Sequence, residues 1–265
     1  MNINLAIAER AKAGETLTAA ELDELGVTDV LSLGMLADEV RRARVGDTVT
    51  YTRDAESRLT TLPETLTATV EAIRAARALH GAAIGFSLAD VIDRGWGPLT
   101  DVLGQLKAAG LDALAEAPVD RIADVPAALQ AAADAGLEVR CLSVQKPITG
   151  ERTDFLLALR AIVERFPSMQ TIAPLPREQS IAVPTTGYDD VRAVALTRLA
   201  LPAVRNIQVD WTQYGPKLAQ VALTFGANDV DRVSTIDDPS LGRRRTSAED
   251  VRRNIAAAGF EAVER

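Results

Sequence analysis

Apolar and polar positions follow two alternating rhythms along the chain, one helical and one extended. In residues 30–43, Leu33, Leu36 and Val40 recur at helical spacing while charged side chains fill other positions, which predicts an amphipathic helix. Residues 47–52 are rich in Thr, Val and Tyr and predict a strand. The same patterns predict further helices at 17–25, 62–79, 98–109, 125–135, 154–165, 189–201, 215–225 and 247–258, and further strands at 83–87, 111–115, 138–144, 169–173 and 207–211.

Short apolar strands that alternate with helices indicate parallel strands joined by right-handed crossovers. We therefore predict an α/β fold, a partial (β/α) TIM-like barrel of about six strands with N-terminal helices and a C-terminal helical extension. No low-complexity linker or internal repeat interrupts the pattern, so we predict a single domain over 1–265. Its parts are an N-terminal helical segment (1–46), a barrel core (47–211) and the C-terminal extension (212–265).

The charge balance narrows the range of partners. The chain has 29 basic and 37 acidic residues and a formal net charge of −8. Binding to nucleic-acid phosphates or to an anionic membrane requires a positive field, so we expect neither partner. The N-terminus lacks the apolar core of a secretory signal, and no apolar run reaches the roughly 20 residues of a membrane span. We therefore expect a cytoplasmic protein.

Cysteine and histidine usage limits the chemistry further. The chain contains one cysteine, Cys141, and one histidine, His80. These two residues cannot form an internal disulfide, a zinc site or the ligand set of an iron–sulfur cluster. Cys141 lies in an apolar strand pattern, where cysteine behaves as a small hydrophobic residue. His80 ends a predicted helix, where its interaction with the helix dipole is favourable. We predict no metal site.

The segment NIQVDWTQYGPKLAQVALTFGANDV (206–230) resembles the radical S-adenosylmethionine enzymes of the futalosine route to menaquinone. These are aminofutalosine synthase and dehypoxanthine futalosine cyclase, with FO synthase as a more distant relative. AGETLTAAELDEL (13–25), LGQLKAAGLDAL (103–114) and ERTDFLLALRAI (151–162) resemble the same proteins in collinear order. The resemblance implies a partial barrel with a C-terminal extension.

The chain departs from this family at the cluster-binding loop. The family carries a CxxxCxxC loop after its first strand, in which three thiolates hold a [4Fe–4S] cluster that binds S-adenosylmethionine. Here the first predicted strand is followed by RDAESRLTTLPETL (53–66), which contains no cysteine. We therefore expect neither the [4Fe–4S] cluster nor S-adenosylmethionine as a cofactor, and no radical chemistry by this chain alone.

Candidate substrate-binding residues lie at or just beyond the ends of predicted strands, where barrel sites form. Gln208 and Asp210 share one strand face, and Gln213 follows in the next loop. Lys217 stands at a helix start, where a lysine is unfavourable unless it contacts an anion or a carboxylate. Arg177 follows another strand, where a guanidinium can hold a carboxylate through two hydrogen bonds. Neutralisation of Asp210 by a neighbouring base, a salt bridge for Lys217 and a surface position for Arg177 are open alternatives.

Three interpretations of the function remain open. The first is a non-catalytic subunit or accessory partner in menaquinone biosynthesis, working as a homo-oligomer or in a heteromer with an intact radical S-adenosylmethionine paralogue. An open sheet edge in such a barrel needs a covering partner. The second is a protein that binds a small molecule, an aromatic carboxylate or a nucleoside, in the barrel cavity inherited from the family. The third is a cofactor-independent enzyme that uses acid–base residues such as Asp210, Lys217 or Glu116, although no catalytic residue can be assigned.

Overall fold

The computed structural model describes residues 3–53, 58–148, 152–178, 185–233 and 248–265. The strands are β1 (Thr48–Arg53), β2 (Arg58–Leu59), β3 (Ile84–Ser87), β4 (Ala113–Pro118), β5 (Glu138–Val139), β6 (Leu142–Val144), β7 (Thr171–Pro176), β8 (Asn206–Asp210), β9 (Asp229–Val233) and β10 (Glu261–Glu264). The helices are α1 (Leu5–Lys12), α2 (Ala19–Gly26), α3 (Val30–Val45), α4 (Leu66–His80), α5 (Leu88–Asp93), α6 (Leu99–Ala109), α7 (Val125–Asp134), α8 (Arg152–Arg165), α9 (Gly187–Ala200), α10 (Trp211–Leu223) and α11 (Ala248–Ala257).

The chain forms two compact units. Unit 1 combines Met1–Asp54 with Lys146–Arg265, and unit 2 is Ala55–Gln145. In unit 1 the strand order is β10-β1-β9-β8-β7, and the neighbouring strands are parallel. In unit 2 the order is β6-β4-β3-β2, with β5 beside β4, again parallel. Parallel strands alternating with helices confirm the predicted α/β fold class of the partial (β/α) barrel type. The prediction of a single domain stays a prediction.

Local sequence signals explain where many helices begin and end. Thr18 and Thr186 each form a capping box at the start of α2 and α9. Gly81 and Gly110 end α4 and α6 in the left-handed conformation that glycine adopts without strain, as the sequence predicts. The pattern did not predict α1, β2, α5, β9 or β10. The C-terminal extension therefore contributes two strands in addition to its helices.

The core of unit 1 packs α3 and α9 closely together. Most of α9 is buried, including the full length of Arg198. The Arg198 guanidinium donates to the carbonyl oxygens of Gly226 and Val204 and to the side-chain oxygen of Asn228. Burial, assisted by the nearby charges of Arg44 and Arg41, lowers the pKa of Arg198 to about 9. These bonds fix the turn that precedes β9 and so position the start of that strand.

Candidate functional site

Polar side chains gather in unit 1 where β8 and β9 end. The register pairs Gln208 with Asp229 and Asp210 with Asp231. Because side chains two residues apart on a strand share a face, all four of these residues lie on one face of the sheet. All four are buried. Buried carboxylates require hydrogen bonds or counter-ions, so their partners determine what this site can do.

Arg177, which follows β7, is the central cation of the site. Its Nη1 lies 3.2 Å from Asp210 Oδ2, and its Nη2 lies 3.0 Å from Gln208 Oε1 and 3.5 Å from Asp231 Oδ2. The Arg177 side chain is only 3 % exposed, so it is not a surface residue. Its guanidinium therefore bonds the protein's own carboxylates and amide.

Asp210 connects the two arginines of the site to a helix. Its Oδ2 also lies 3.2 Å from Nη1 of Arg232, while its Oδ1 accepts a hydrogen bond of 2.9 Å from the backbone N–H of Gln213 and caps α10. Arg232 has a φ of 56°, a left-handed conformation that is strained for a residue with a side chain. Two arginines and two aspartates thus form a charge-balanced group. We call Arg177, Asp210, Asp231 and Arg232 the strand-end cluster.

Asp229 lies beside the strand-end cluster and has its own partners. Its carboxylate accepts hydrogen bonds from the Thr50 hydroxyl, from Gln208 Nε2 at 2.7 Å and from Arg265 Nη2 at 2.7 Å. Burial raises the pKa of Asp229, while Arg265 and these hydrogen bonds oppose the rise. Asp229 is fully buried, because β9 is a buried strand.

The other predicted site residues divide into two groups. Gln213 Nε2 and the Tyr214 hydroxyl both donate to the carbonyl oxygen of Pro176, each at 2.7 Å, so Gln213 lies next to the strand-end cluster. Burial raises the pKa of Tyr214, and the nearby charges of Asp190 and Asp210 add to the effect. Lys217 lies beyond a kink at Gly215, is exposed and has no ion pair with any residue that the structure describes.

Sequence reasoning missed Asp231, Arg232, Thr50 and Arg265. A signal was available for Asp231, because Asp229-Val230-Asp231 repeats the polar–apolar–polar alternation of Gln208-Val209-Asp210. No local signal indicates Thr50 or Arg265, since each contacts Asp229 only through the folding of distant segments.

The single cysteine, Cys141, cannot supply the three thiolates that the CxxxCxxC loop provides for a [4Fe–4S] cluster. Cys141, in unit 2, is buried, and its thiol lies 3.3 Å from the carbonyl oxygen of Leu142 as a hydrogen-bond donor. Within the described ranges, no group of three or more His, Cys, Asp or Glu side chains is arranged to hold a metal ion. Among the same residues, no helix is long and apolar enough to cross a membrane.

The C-terminal part of this chain is similar to a known protein family. Residues 159–265 match the model of a family described as CofH/MqnC C-terminal region. This segment contains β7, β8 and β9 and therefore the whole strand-end cluster. The predicted resemblance to futalosine-pathway and FO synthase-like proteins is confirmed at the level of the family.

Two curated relatives share about a third of their residues with this chain where they align. One is a 5-amino-6-(D-ribitylamino)uracil--L-tyrosine 4-hydroxyphenyl transferase of Archaeoglobus fulgidus, 32 % identical over 105 residues that cover 37 % of this chain and 31 % of the relative. The other is an aminodeoxyfutalosine synthase of Thermus thermophilus, 31 % identical over 160 residues that cover 51 % of this chain and 43 % of the relative. The chain thus spans less than half the length of either relative.

Solved structures extend the fold comparison to nearly the whole chain. Methylornithine synthase matches with a TM-score of 0.71 and 14 % identity over 97 % of both chains. A maturase of the [FeFe]-hydrogenase matches with a TM-score of 0.63 and 13 % identity, covering 97 % of this chain and 74 % of the maturase. At this identity the likeness concerns the fold alone.

Proposed function

We propose that this chain is a cluster-free relative of the radical S-adenosylmethionine enzymes and acts as a non-catalytic accessory protein of menaquinone biosynthesis in the cytoplasm. One observation carries the proposal. The family segment with its buried strand-end cluster is present, whereas the whole sequence offers one cysteine, and that cysteine is buried on a backbone carbonyl. The relative named aminodeoxyfutalosine synthase supports the assignment to this pathway.

The cluster-free part of the proposal is tested by reconstitution. The purified chain is incubated anaerobically with ferrous iron, sulfide and a thiol reductant, desalted and assayed for iron and for cluster absorbance. We expect far less than one iron per chain and no cluster spectrum. Cys141→Ser serves as the matched control and should retain the same background iron. Stoichiometric iron with a cluster spectrum that Cys141→Ser abolishes would overturn this part.

The accessory part is tested by affinity purification of the tagged chain from its own host, with mass spectrometry and light scattering. We expect stoichiometric recovery of a protein that carries the intact CxxxCxxC loop, as a subunit or partner of this chain. Recovery of this chain alone, under conditions that preserve a known complex of the same host, contradicts the accessory role. That result would leave the cluster-free part untouched, because the two experiments measure different quantities.

A second candidate function is the binding of a small zwitterion, and the charge balance of the strand-end cluster favours it. The two cations and two anions of the strand-end cluster have no net charge that would select a simple anion. A zwitterionic amino acid presents one carboxylate and one ammonium group, which match Arg232 and Asp231 in sign. The Arg232 side chain is 31 % exposed and is thus the accessible arginine of the two.

L-Tyrosine is the appropriate first probe, since the names of the transferase relatives include it. Isothermal titration should show binding that Arg232→Gln weakens and that 3-(4-hydroxyphenyl)propionate, which is tyrosine without the ammonium group, does not reproduce. Lys217→Gln is the matched control, because Lys217 is exposed and lies outside the strand-end cluster. Equal heats for Arg232→Gln and the unmodified chain would remove this candidate.

A further inference from the structure

Helices α2 and α3 of unit 1 carry exposed residues at intervals of four. These are Asp23, Val27, Leu31, Met35 and Glu39, and the three apolar residues among them are 73 %, 66 % and 67 % exposed. Single exposed apolar side chains are common on protein surfaces, whereas several together mark a candidate interaction surface. We call these five residues the exposed row.

The two apolar residues of the exposed row in α3 face away from the protein core. The buried face of α3 carries Leu33, Leu36 and Val40. At about 100° of rotation per residue, Leu31 and Met35 fall on the opposite side of the helix. An amphipathic helix places polar side chains on that side, so burial within this chain does not explain these two residues.

The backbone at Val27 is held in place by a side chain from α9. Arg192 Nη1 donates to the carbonyl oxygens of Gly26 and Thr28, each at 2.8 Å, and so fixes the chain on both sides of Val27. The junction between α2 and α3 is therefore ordered before any partner arrives. Binding to a surface that is already ordered avoids the entropy cost of fixing it.

The charges along the exposed row have one sign. Residues 19–39 contain six acidic residues and no Lys or Arg. At one end, Asp23 and Glu24 form no ion pair with any residue that the structure describes. At the other end, Glu39 pairs with Lys12 at 2.8 Å and stays half exposed. The exposed row thus presents apolar side chains between two acidic ends, of which the Asp23 end is not neutralised.

A second copy of this chain does not match this pattern of charges. Antiparallel pairing of two exposed rows sets Asp23 against Glu39 of the partner subunit. Parallel pairing sets each acidic residue against its own equivalent. Like charges that face each other across an interface oppose association. A partner that carries apolar and basic side chains matches the exposed row in both respects.

We propose that the exposed row docks an amphipathic helix of another protein, whose apolar face is bounded by Lys or Arg. Side chains four residues apart form a ridge on a helix, and such a ridge packs into the groove of a facing helix. Leu31 and Met35 then pack against the apolar face of the partner, and a basic side chain of the partner pairs with Asp23. The proposal does not rest on the proposed accessory function, because it uses only the surface of α2 and α3.

A synthetic helix tests the apolar part of the proposal. The probe is a fluorescent peptide of leucine and lysine, about 18 residues long so that it is helical in isolation, and its binding to the whole chain is measured by anisotropy. Leu31→Gln keeps the helix propensity of α3 and should weaken binding about tenfold. Leu79→Gln is the matched control, because Leu79 is a leucine on α4 of unit 2 that is 77 % exposed. It should bind the peptide as the unmodified chain does.

Two outcomes of this titration overturn the proposal. One is equal binding of the peptide by Leu31→Gln and Leu79→Gln, which would show that the exposed row is not the docking site. The other is the absence of binding by the unmodified chain at about 0.1 mM peptide. Both variants change exposed side chains and should unfold at the same temperature as the unmodified chain, so a loss of binding reports the surface rather than the fold.

A charge variant tests the basic character of the partner. Asp23→Asn should weaken binding of the same peptide about threefold, and the difference should shrink as salt is added. Asp101→Asn, on α6 of unit 2, removes an equally exposed class of carboxylate and the same net charge, and should leave binding unchanged. Equal effects of Asp23→Asn and Asp101→Asn would mean that the peptide responds only to net charge, which contradicts the proposal.

Sedimentation of the unmodified chain without peptide distinguishes another protein from a second copy. We expect no self-association that depends on the exposed row. A dimer that Leu31→Gln dissociates and Leu79→Gln does not would identify a second copy as the occupant and overturn the proposal.

Discussion

The two units place their ion pairs in different environments. In unit 1, the side chains of Arg177 and Asp210 are 3 % and 2 % exposed. In unit 2, the side chains of Arg77 and Asp112 are 45 % and 38 % exposed. Exposed pairs contribute at most about 1 kcal/mol, whereas breaking a buried pair leaves an uncompensated charge at a cost of about 3–5 kcal/mol. The stability of unit 1 should therefore depend more on the Arg177–Asp210 pair than the stability of unit 2 depends on the Arg77–Asp112 pair.

The strand ends of the two units differ in the same way. Unit 1 ends its strands in arginine and aspartate side chains that bond one another, whereas unit 2 has Ser87, Glu116 and Ser143 at its strand ends. The family match covers the strands of unit 1 that carry the strand-end cluster. Buried charges at a barrel's strand ends are costly unless they bond one another, and the charges of the strand-end cluster do so.

The largest expected effect comes from breaking the strand-end cluster. Asp210→Ala removes a carboxylate that bonds Arg177 and Arg232 and caps α10. We expect a loss of about 3–5 kcal/mol in the free energy of unfolding, measured by urea denaturation. Asp93→Ala is the counterpart in unit 2, where the exposed carboxylate pairs with Arg121, and it should cost at most about 1 kcal/mol. Equal losses in the two variants would remove the contrast between the units.

Glycine substitutions in the two units should change the free energy of unfolding in opposite directions. A Cβ added at Gly34, in α3, would lie 2.6 Å from the buried ring of Phe225, so Gly34→Ala should destabilise by about 1–3 kcal/mol. A Cβ added at Gly104, in α6, would meet nothing within 4 Å, so Gly104→Ala should stabilise by about 1 kcal/mol through helix propensity. Thermal and urea denaturation measure both changes in stability. A stabilising Gly34→Ala would show that α3 and Phe225 can separate without loss.

The buried carboxyl of Asp229 predicts a pH dependence specific to unit 1. Burial raises its pKa above the unfolded value of about 3.9, so the folded state favours the protonated form. Its contribution to stability is full below the unfolded pKa and is lost as pH rises through the folded pKa. Asp229→Asn cannot titrate. The stability of Asp229→Asn relative to the unmodified chain should therefore increase as pH rises from about 3.9, the unfolded pKa, through the folded pKa of Asp229. A constant difference across the interval contradicts the raised pKa.

Sequence reasoning succeeded where the signal is local. The helices predicted at 98–109 and 125–135 agree with α6 and α7 to within one residue at each end, because the glycine after α6 and the proline in the first turn of α7 have strong backbone preferences. Strand β9 was missed because Asp229 and Asp231 look like surface residues until their partners are known. Those partners are Arg177, Thr50 and Arg265, which lie 54, 179 and 36 residues away in the chain. The grouping of Gln208, Asp210 and Arg177 at strand ends was foreseeable, and neutralisation of Asp210 by a neighbouring base was one of the open alternatives. That Arg177 and Arg232 are the two bases was not foreseeable.

Loss of a helix cap should have the smallest effect on the free energy of unfolding. The effect should be the same in both units, because a cap contacts only the first turn of its own helix. In unit 1, the Thr186 hydroxyl accepts from the Asp189 N–H at 3.3 Å, and the Thr186 N–H donates to Asp189 Oδ2 at 3.1 Å. In unit 2, Asp124 Oδ1 accepts from the Ala127 N–H at 2.9 Å. Thr186→Ala and Asp124→Ala should each cost about 1 kcal/mol in urea denaturation. Thr186→Ser and Asp124→Asn keep a capping oxygen and should recover most of the loss. A loss at Thr186 several times that at Asp124 would mean that the start of α9 is coupled to the buried charges of unit 1, and the contrast between the units would then extend beyond the strand-end cluster.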